Sequence, residues 1–192
     1  MTIHELDDRD LMASLRNGDL GSLEVLHQRH RGNVTRLIRR MIRDQAVAED
    51  LAQEVFLRVY QARSRYQPSA SFSTWLYRIT FNRTLNWIRS QNQFKTTSSY
   101  DAQPQSLRRS LQSPSPTPEH LLLDKEKIDR VRAAIQALPP RQKTALMLHK
   151  YEGMDYTQIA ECMDTTVPAV KSLLFRTYIA LQELLKPEAE AH

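Results

Sequence analysis

The stretch MDYTQIAECMDTTVPAVK, residues 154–171, decides the reading of this chain. Asp155 stands where its carboxylate caps a helix opening at Tyr156, and Gln158 sits where a capping box places its return partner. That helix is short and ends near Met163. Asp164, Thr165 and Thr166 make a tight turn. Thr166 then caps a second helix, and Pro168 falls in its first turn, where a missing N–H costs nothing. The small side chain of Ala160 lets the two helices approach closely.

The second helix sorts its side chains cleanly at about 100° per residue. Val170, Leu174 and Leu181 fall on one side and predict the buried face. Lys171, Ser172, Phe175 and Arg176 fall on the other. No acidic residue lies between Val167 and Gln182. Two cations, a hydroxyl and an aromatic ring on an acid-free face suit a major groove and its flanking phosphates. An ordinary helical hairpin with a solvated face accounts less well for two caps, the turn and the missing acids together. Phe175 reads equally as an exposed or a half-buried ring.

Upstream, the apolar positions also follow helical spacing, and strand-like alternation is nearly absent. Leu23, Leu26, His27, His30, Val34, Leu37, Ile38 and Met41 trace one face of a long helix. Gly18 reads as the stop of a short helix before it and Asp19 as the next cap. A third helix starts after Asp44, its first half carrying Glu49, Asp50 and Glu54, which the helix dipole favours there. In DLAQEVFL, residues 50–57, apolar residues occupy more than one face. Two readings stay open: a fully buried central helix, or one face on the core and another on a protein partner. A fourth helix is predicted from about Ser73 to Ser90.

The segment from Tyr66 to Arg89 packs six aromatics among three arginines. Unpaired bases stack on aromatic faces while arginines hold phosphates, so this mixture suits a groove for melted nucleic acid. Phe72, Trp75 and Leu76 read as core. Tyr66, before a proline loop, is the ring expected to be exposed, and Asn82 offers an amide to a base edge. Between Lys95 and Pro118 lie six serines and four prolines. Such a segment buries too little to offset its conformational entropy and reads as a flexible linker. Helical spacing resumes at Leu121, with Ile128, Val131, Ile135 and Leu138 expected on one face. Pro139-Pro140 ends that helix and opens the next.

Composition sets outer bounds. The 192 residues carry a net charge of +5 and are 41% hydrophobic, with no apolar run long enough to span a membrane. Residues 1–94 hold 14 basic and 10 acidic side chains, residues 95–118 three and one, and residues 119–192 ten and 11. The basic balance permits nucleic-acid binding without demanding it. No signal peptide is visible at the N-terminus. The single cysteine, Cys162, reads as a small buried thiol and suits a reducing cytoplasm. An enzyme is disfavoured: there is no glycine-rich phosphate loop or nucleophile elbow. His27 and His30, three apart, read as structural rather than as metal ligands. No metal or cofactor is expected.

Taken together, these segments resemble the extracytoplasmic-function sigma factors of bacterial RNA polymerase. The resemblance rests on DLAQEVF at 50–56, FSTWLYRI at 72–79 through Asn82, LPPRQ at 138–142, YEG at 151–153, and the helix-turn-helix. It implies an all-α chain that is not an enzyme. Residues 1–94 would bind core polymerase and recognise and melt the −10 element. Residues 95–118 would be the linker, and residues 119–192 would read the −35 element. By resemblance, Asp50, Gln53, Glu54 and Phe56 meet the polymerase clamp helices. Tyr66, Trp75, Arg78, Asn82 and Arg83 serve the −10 element, Tyr66 and Asn82 falling where a flipped base is held. Lys171, Ser172, Phe175 and Arg176 read the −35 element. The polymerase flap, promoter DNA and an anti-sigma factor are the further partners implied, in a stress or envelope response, with no direct membrane insertion. The chain departs from the family at Pro168, where glycine is frequent, at Leu173 and Tyr178, which are often basic, and in the basic linker, which is often acidic. A lone helix-turn-helix regulator is the competing reading, but it leaves the first domain unexplained.

Overall fold

The computed structural model describes residues 3–67, 71–97 and 118–186. Among them are eight α-helices: α1 (Asp8–Arg16), α2 (Leu20–Ile42), α3 (Gln45–Ala62), α4 (Phe72–Thr97), α5 (Pro118–Ala137), α6 (Pro140–Tyr151), α7 (Tyr156–Met163) and α8 (Val167–Leu185). The all-α architecture is the one expected. Most of the predicted linker, residues 98–117, lies outside the described residues. At its edges α4 runs past the predicted stop at Ser90 to Thr97, and α5 begins at Pro118.

The boundaries in the first half follow from local chemistry. Asp7, Asp19 and Asp44 each cap a helix by accepting from a first-turn backbone N–H. Gly18 adopts a φ of 101° between α1 and α2, where a side chain would be strained. Leu11, Leu15, Leu26, Val34, Ile38, Leu51, Val55 and Leu76 are buried and join α1 to α4 around one core. On α3 the buried set is Ala48, Leu51, Ala52, Val55, Phe56 and Val59, a single stripe.

In the second half, Ala145, Met147, Leu148, Ile159, Cys162, Val170 and Leu174 make the core of α6, α7 and α8. That core is continuous with the first body. Leu37 and Met41 of α2, and Tyr77, Phe81 and Leu85 of α4, belong to the same cluster. Polar contacts cross the same seam. The Tyr77 hydroxyl donates to Glu152, Gln136 Nε2 donates to the Arg40 carbonyl at 2.7 Å, and the Arg40 guanidinium lies 3.8 Å from the Tyr151 ring centroid. On α5 Ile128 and Val131 are exposed, while Ala134 and, just past the helix, Leu138 are buried in the core.

Candidate nucleic-acid interface

The helix-turn-helix is built as its caps dictate. Asp155 accepts from the backbone N–H groups of Thr157 and Gln158, both at 2.8 Å, and Gln158 Oε1 accepts from Asp155 N at 3.0 Å. Asp164 ends α7 in the left-handed region at φ 52°, a conformation that Asp tolerates better than most residues. Thr165 N closes the turn onto the Ala160 carbonyl at 3.0 Å, and Thr166 Oγ1 caps α8 by accepting from Ala169 N. Val170 and Leu174 of α8 are buried against α7, while Leu181 is half-buried. This fixes the opposite face.

On that face Lys171, Ser172, Phe175 and Arg176 are all exposed. The Phe175 ring is 66% exposed, which settles its two readings in favour of the exposed one. Arg176 Nε donates to the Ser172 carbonyl at 3.3 Å, so its guanidinium lies along the helix. The sequence reading missed two neighbouring cation–ring pairs, Lys171 near Tyr156 and Lys150 near Tyr178, at 6.0 and 5.9 Å. Part of their signal was present: Tyr178 lies about one turn past Phe175. Cys162 is fully buried, and burial pushes its thiol up to about 12, so it stays protonated and unreactive.

In the first body the structure separates residues that the sequence reading had grouped. Tyr66 is buried rather than exposed. Its ring packs edge-on to Trp75 at 5.2 Å and to Phe72 at 6.3 Å, and burial pushes its hydroxyl above the usual tyrosine range. The cause is long-range: the start of α1 lies over the turn before Tyr66, with Asp7, Asp8 and Arg9 near its hydroxyl. Asn82 lies elsewhere. With Arg58, Gln61, Arg65, Arg83 and Asn86 it lines an open polar depression of about 410 Å³ between the end of α3 and α4. Tyr66 is not among the residues that line this depression. Trp75 is half-buried beside Tyr66, and Arg78 is exposed with Asp164 at 3.5 Å.

Of the α3 residues, Asp50 and Gln53 are exposed. Glu54 accepts from Arg83 Nε across the groove, and that contact holds its carboxyl below the usual range. Phe56, which the resemblance assigns to the clamp, belongs to the core of the first body. It is buried, its ring edge-on to His27 at 4.7 Å. The apolar side chain that α3 presents outward is Leu57, 61% exposed. His30 is bound to Asp8 at 2.6 Å, and among the described residues no group of His, Cys, Asp and Glu is placed to hold a metal.

The comparisons with known proteins fall on the same two bodies. Residues 26–94 match Sigma-70 region 2, and residues 128–181 match Sigma-70, region 4. Over 186 residues the chain is 31% identical to the ECF RNA polymerase sigma-E factor of Escherichia coli, covering 95% of this chain and 96% of that one. The chain belongs to the extracytoplasmic-function sigma factors. It is likewise 30% identical to the RNA polymerase sigma-H factor of Pseudomonas aeruginosa over 186 residues, 94% of both chains. Among solved structures, CnrH in complex with the cytosolic domain of CnrY matches with a TM-score of 0.68 at 20% identity, over 95% of this chain and 99% of that one. The sigma factor RpoE of Bartonella quintana, in complex with the anti-sigma factor NepR, matches at 0.66 and 18%, over 86% and 97%. A sigma factor is a transcription-initiation protein that serves RNA polymerase and promoter DNA, not an enzyme. No helix among the described residues is long and apolar enough to cross a membrane.

Proposed function

We propose that this sigma factor divides promoter reading between its two bodies. Residues 119–192 read the −35 element through Lys171, Ser172, Phe175 and Arg176. Residues 1–94 hold core polymerase and the −10 strand, with 95–118 as the tether. The observation that carries the reading is the acid-free outer face of α8, held outward by two capped helices with the Phe175 ring 66% exposed. A helix so presented fits the major groove, and its cations fit the phosphates beside it.

For the −10 strand the polar depression replaces the expected Tyr66–Asn82 pair. Asn82 and Asn86 offer amides to base edges, and Arg58, Arg65 and Arg83 offer guanidiniums to the backbone. Arg78 and the half-buried Trp75 lie further along α4 as its outer contacts. On α3, Asp50, Gln53 and Leu57 form an exposed face of two polar groups around one apolar residue, suited to the polymerase clamp, with Glu54 steadied by Arg83. The protein works in the cytoplasm, where its polymerase is. An anti-sigma factor holds it in a stress or envelope response, a reading supported by the anti-sigma factor NepR bound to the similar sigma factor RpoE.

Run-off transcription with bacterial core polymerase on the gene's own upstream region tests this reading. The expected result is a start-site-specific transcript that disappears with Lys171→Ala/Arg176→Ala. Asn82→Ala should still bind polymerase but leave the −10 region unreactive to permanganate. Absence of any specific transcript with the wild-type chain would overturn the proposal.

A further inference from the structure

An open cleft of about 1000 Å³ lies between α2, α3 and α5, on the seam between the two bodies. Six guanidiniums line it: Arg31, Arg36, Arg39, Arg40 and Arg43 from α2 and its cap, and Arg132 from α5. Among the described residues, Glu49 is the one carboxylate in the lining. Among the described residues, Arg31, Arg36, Arg39 and Arg43 form no ion pair. Arg40 reaches only to 4.0 Å from Glu152, and Arg132 pairs on its own helix with Asp129. Arg36, Arg39, Arg40 and Arg43 follow the i, i+3, i+4, i+7 pattern, placing four like charges on about 10 Å of helix axis.

A fold gains nothing from this crowding, and two further observations show that the chain tolerates its cost. Arg43 closes α2 in the left-handed region at φ 59°, a position that favours glycine or asparagine. Near Arg43, Lys143 is buried and, among the described residues, donates to the backbone and side-chain oxygens of Gln136 alone. Burial and the nearby Arg43 charge hold its ammonium below the usual lysine range. The cleft is a concentrated positive potential awaiting an anion.

We propose that this cleft binds a compact chain of phosphates, as in inorganic polyphosphate or the polyphosphate tail of a nucleotide. Charge density selects this class. An extended acidic peptide turns alternate side chains away at about 3.3 Å per residue, so only every second carboxylate would face the cleft. A polyphosphate carries charge on every unit, and guanidinium forks bind phosphate oxygens bidentately. Recognition of a single-stranded nucleic acid wants a free aromatic platform; the described lining holds no Phe, Tyr or Trp, and the Tyr151 ring beside Arg40 is already covered by it. Because Arg132 comes from α5 and the others from α2, a bound phosphate chain ties the two bodies together. Gln53 also lines the cleft, so occupancy reaches the edge of the face proposed for polymerase; the binding itself does not depend on that reading.

Isothermal titration of the full chain with sodium tripolyphosphate tests the site. The expected result is saturable one-to-one binding, weakened at least tenfold by Arg43→Gly and further by Arg39→Glu. Arg43→Gly relieves the left-handed cap, so it should melt no lower than the wild type while losing affinity. Arg16→Glu/Arg141→Glu, an exposed pair outside the cleft lining, should bind as the wild type does. ATP without metal run in parallel separates the sources: affinity equal to tripolyphosphate assigns the phosphate chain alone, and tighter binding assigns a nucleotide. No saturable binding, full affinity in Arg43→Gly, or equal weakening in Arg16→Glu/Arg141→Glu would overturn the proposal. So would equal or tighter binding of polyglutamate or of a single-stranded oligonucleotide.

Discussion

Tyr77→Phe removes one oxygen from the seam between the two bodies and leaves the ring in place. Tyr77 is 6% exposed, and the Glu152 side chain that accepts its hydrogen bond is 9% exposed. A hydrogen bond to a buried charged acceptor contributes about 1.5–3 kcal/mol. Its loss leaves the Glu152 carboxylate, among the described residues, with Arg40 at 4.0 Å. The other polar seam contacts, among them Gln136 to the Arg40 carbonyl, are the same in both proteins and do not offset the loss. Arg78–Asp164 at 3.5 Å is exposed on both sides, and such pairs contribute under about 1 kcal/mol. Docking should therefore weaken by about ten- to a hundredfold. Urea unfolding can show it, because both tryptophans, Trp75 and Trp87, lie on α4 of the first body. Tryptophan fluorescence then follows that body, and far-UV circular dichroism follows every helix. In the wild type the two transitions should coincide. In Tyr77→Phe the second body should unfold earlier, and small-angle scattering should show a larger radius of gyration. Coincident transitions at an unchanged midpoint would refute the reasoning.

Other tests address single links. Lys171→Ala/Arg176→Ala should leave the melting temperature within error, since both side chains are exposed. It should cost about 1–3 kcal/mol in −35 affinity for each base-reading hydrogen bond removed, and removal of a phosphate-binding cation will show as a shallower salt dependence in anisotropy titrations. Asp155→Ala deletes the acceptor for two backbone N–H groups at the start of α7, and thermal melting should show a loss of about 1–2 kcal/mol. Glu54 titrates lower in the folded chain than in the unfolded one because Arg83 donates to it. That pair therefore stabilises the fold above the unfolded carboxyl value, and its contribution disappears as pH falls through the folded one. Arg83→Ala should move the Glu54 carboxyl back up in a carbon-detected NMR titration and flatten that acid limb; an unmoved Glu54 would sink the assignment.

The second body was legible because its information is local. Asp155, Gln158, Thr166 and Pro168 each act within four residues, so caps and faces follow from spacing alone. The stripe Ala48, Leu51, Ala52, Val55, Phe56, Val59 was equally available, and it already assigns Phe56 to the core and leaves Asp50, Gln53 and Leu57 outside. Three features were not legible because distant segments decide them. Tyr66 is covered by the start of α1. The depression around Asn82 forms only when the end of α3, with Arg58, and Arg65 beyond it meet α4. The seam joins Tyr77 to Glu152, 75 residues apart in the chain. Periodicity within one helix reports which face is apolar, not which partner will cover it.

That seam places a condition on promoter reading. α7 packs along α4, and Asp164, in the turn of the helix-turn-helix, sits 3.5 Å from Arg78 on the helix proposed for the −10 strand. While docked, the two reading helices move as one unit, and part of α4 is covered by α7. On the proposed division of promoter reading, placing them on two separate elements calls for the seam to open, with free energy from polymerase and DNA, which can shift the equilibrium only by their differential affinity for the open form. Apparent affinity for polymerase is then reduced by the fraction of chains that are open. Weakening the seam should return that factor. The same Tyr77→Phe variant that separates the unfolding transitions should bind core polymerase more tightly, by as much as docking was weakened, until the open form predominates. Unchanged or weaker polymerase binding by a variant whose bodies have come apart would show that the docked form and the polymerase-bound form do not compete.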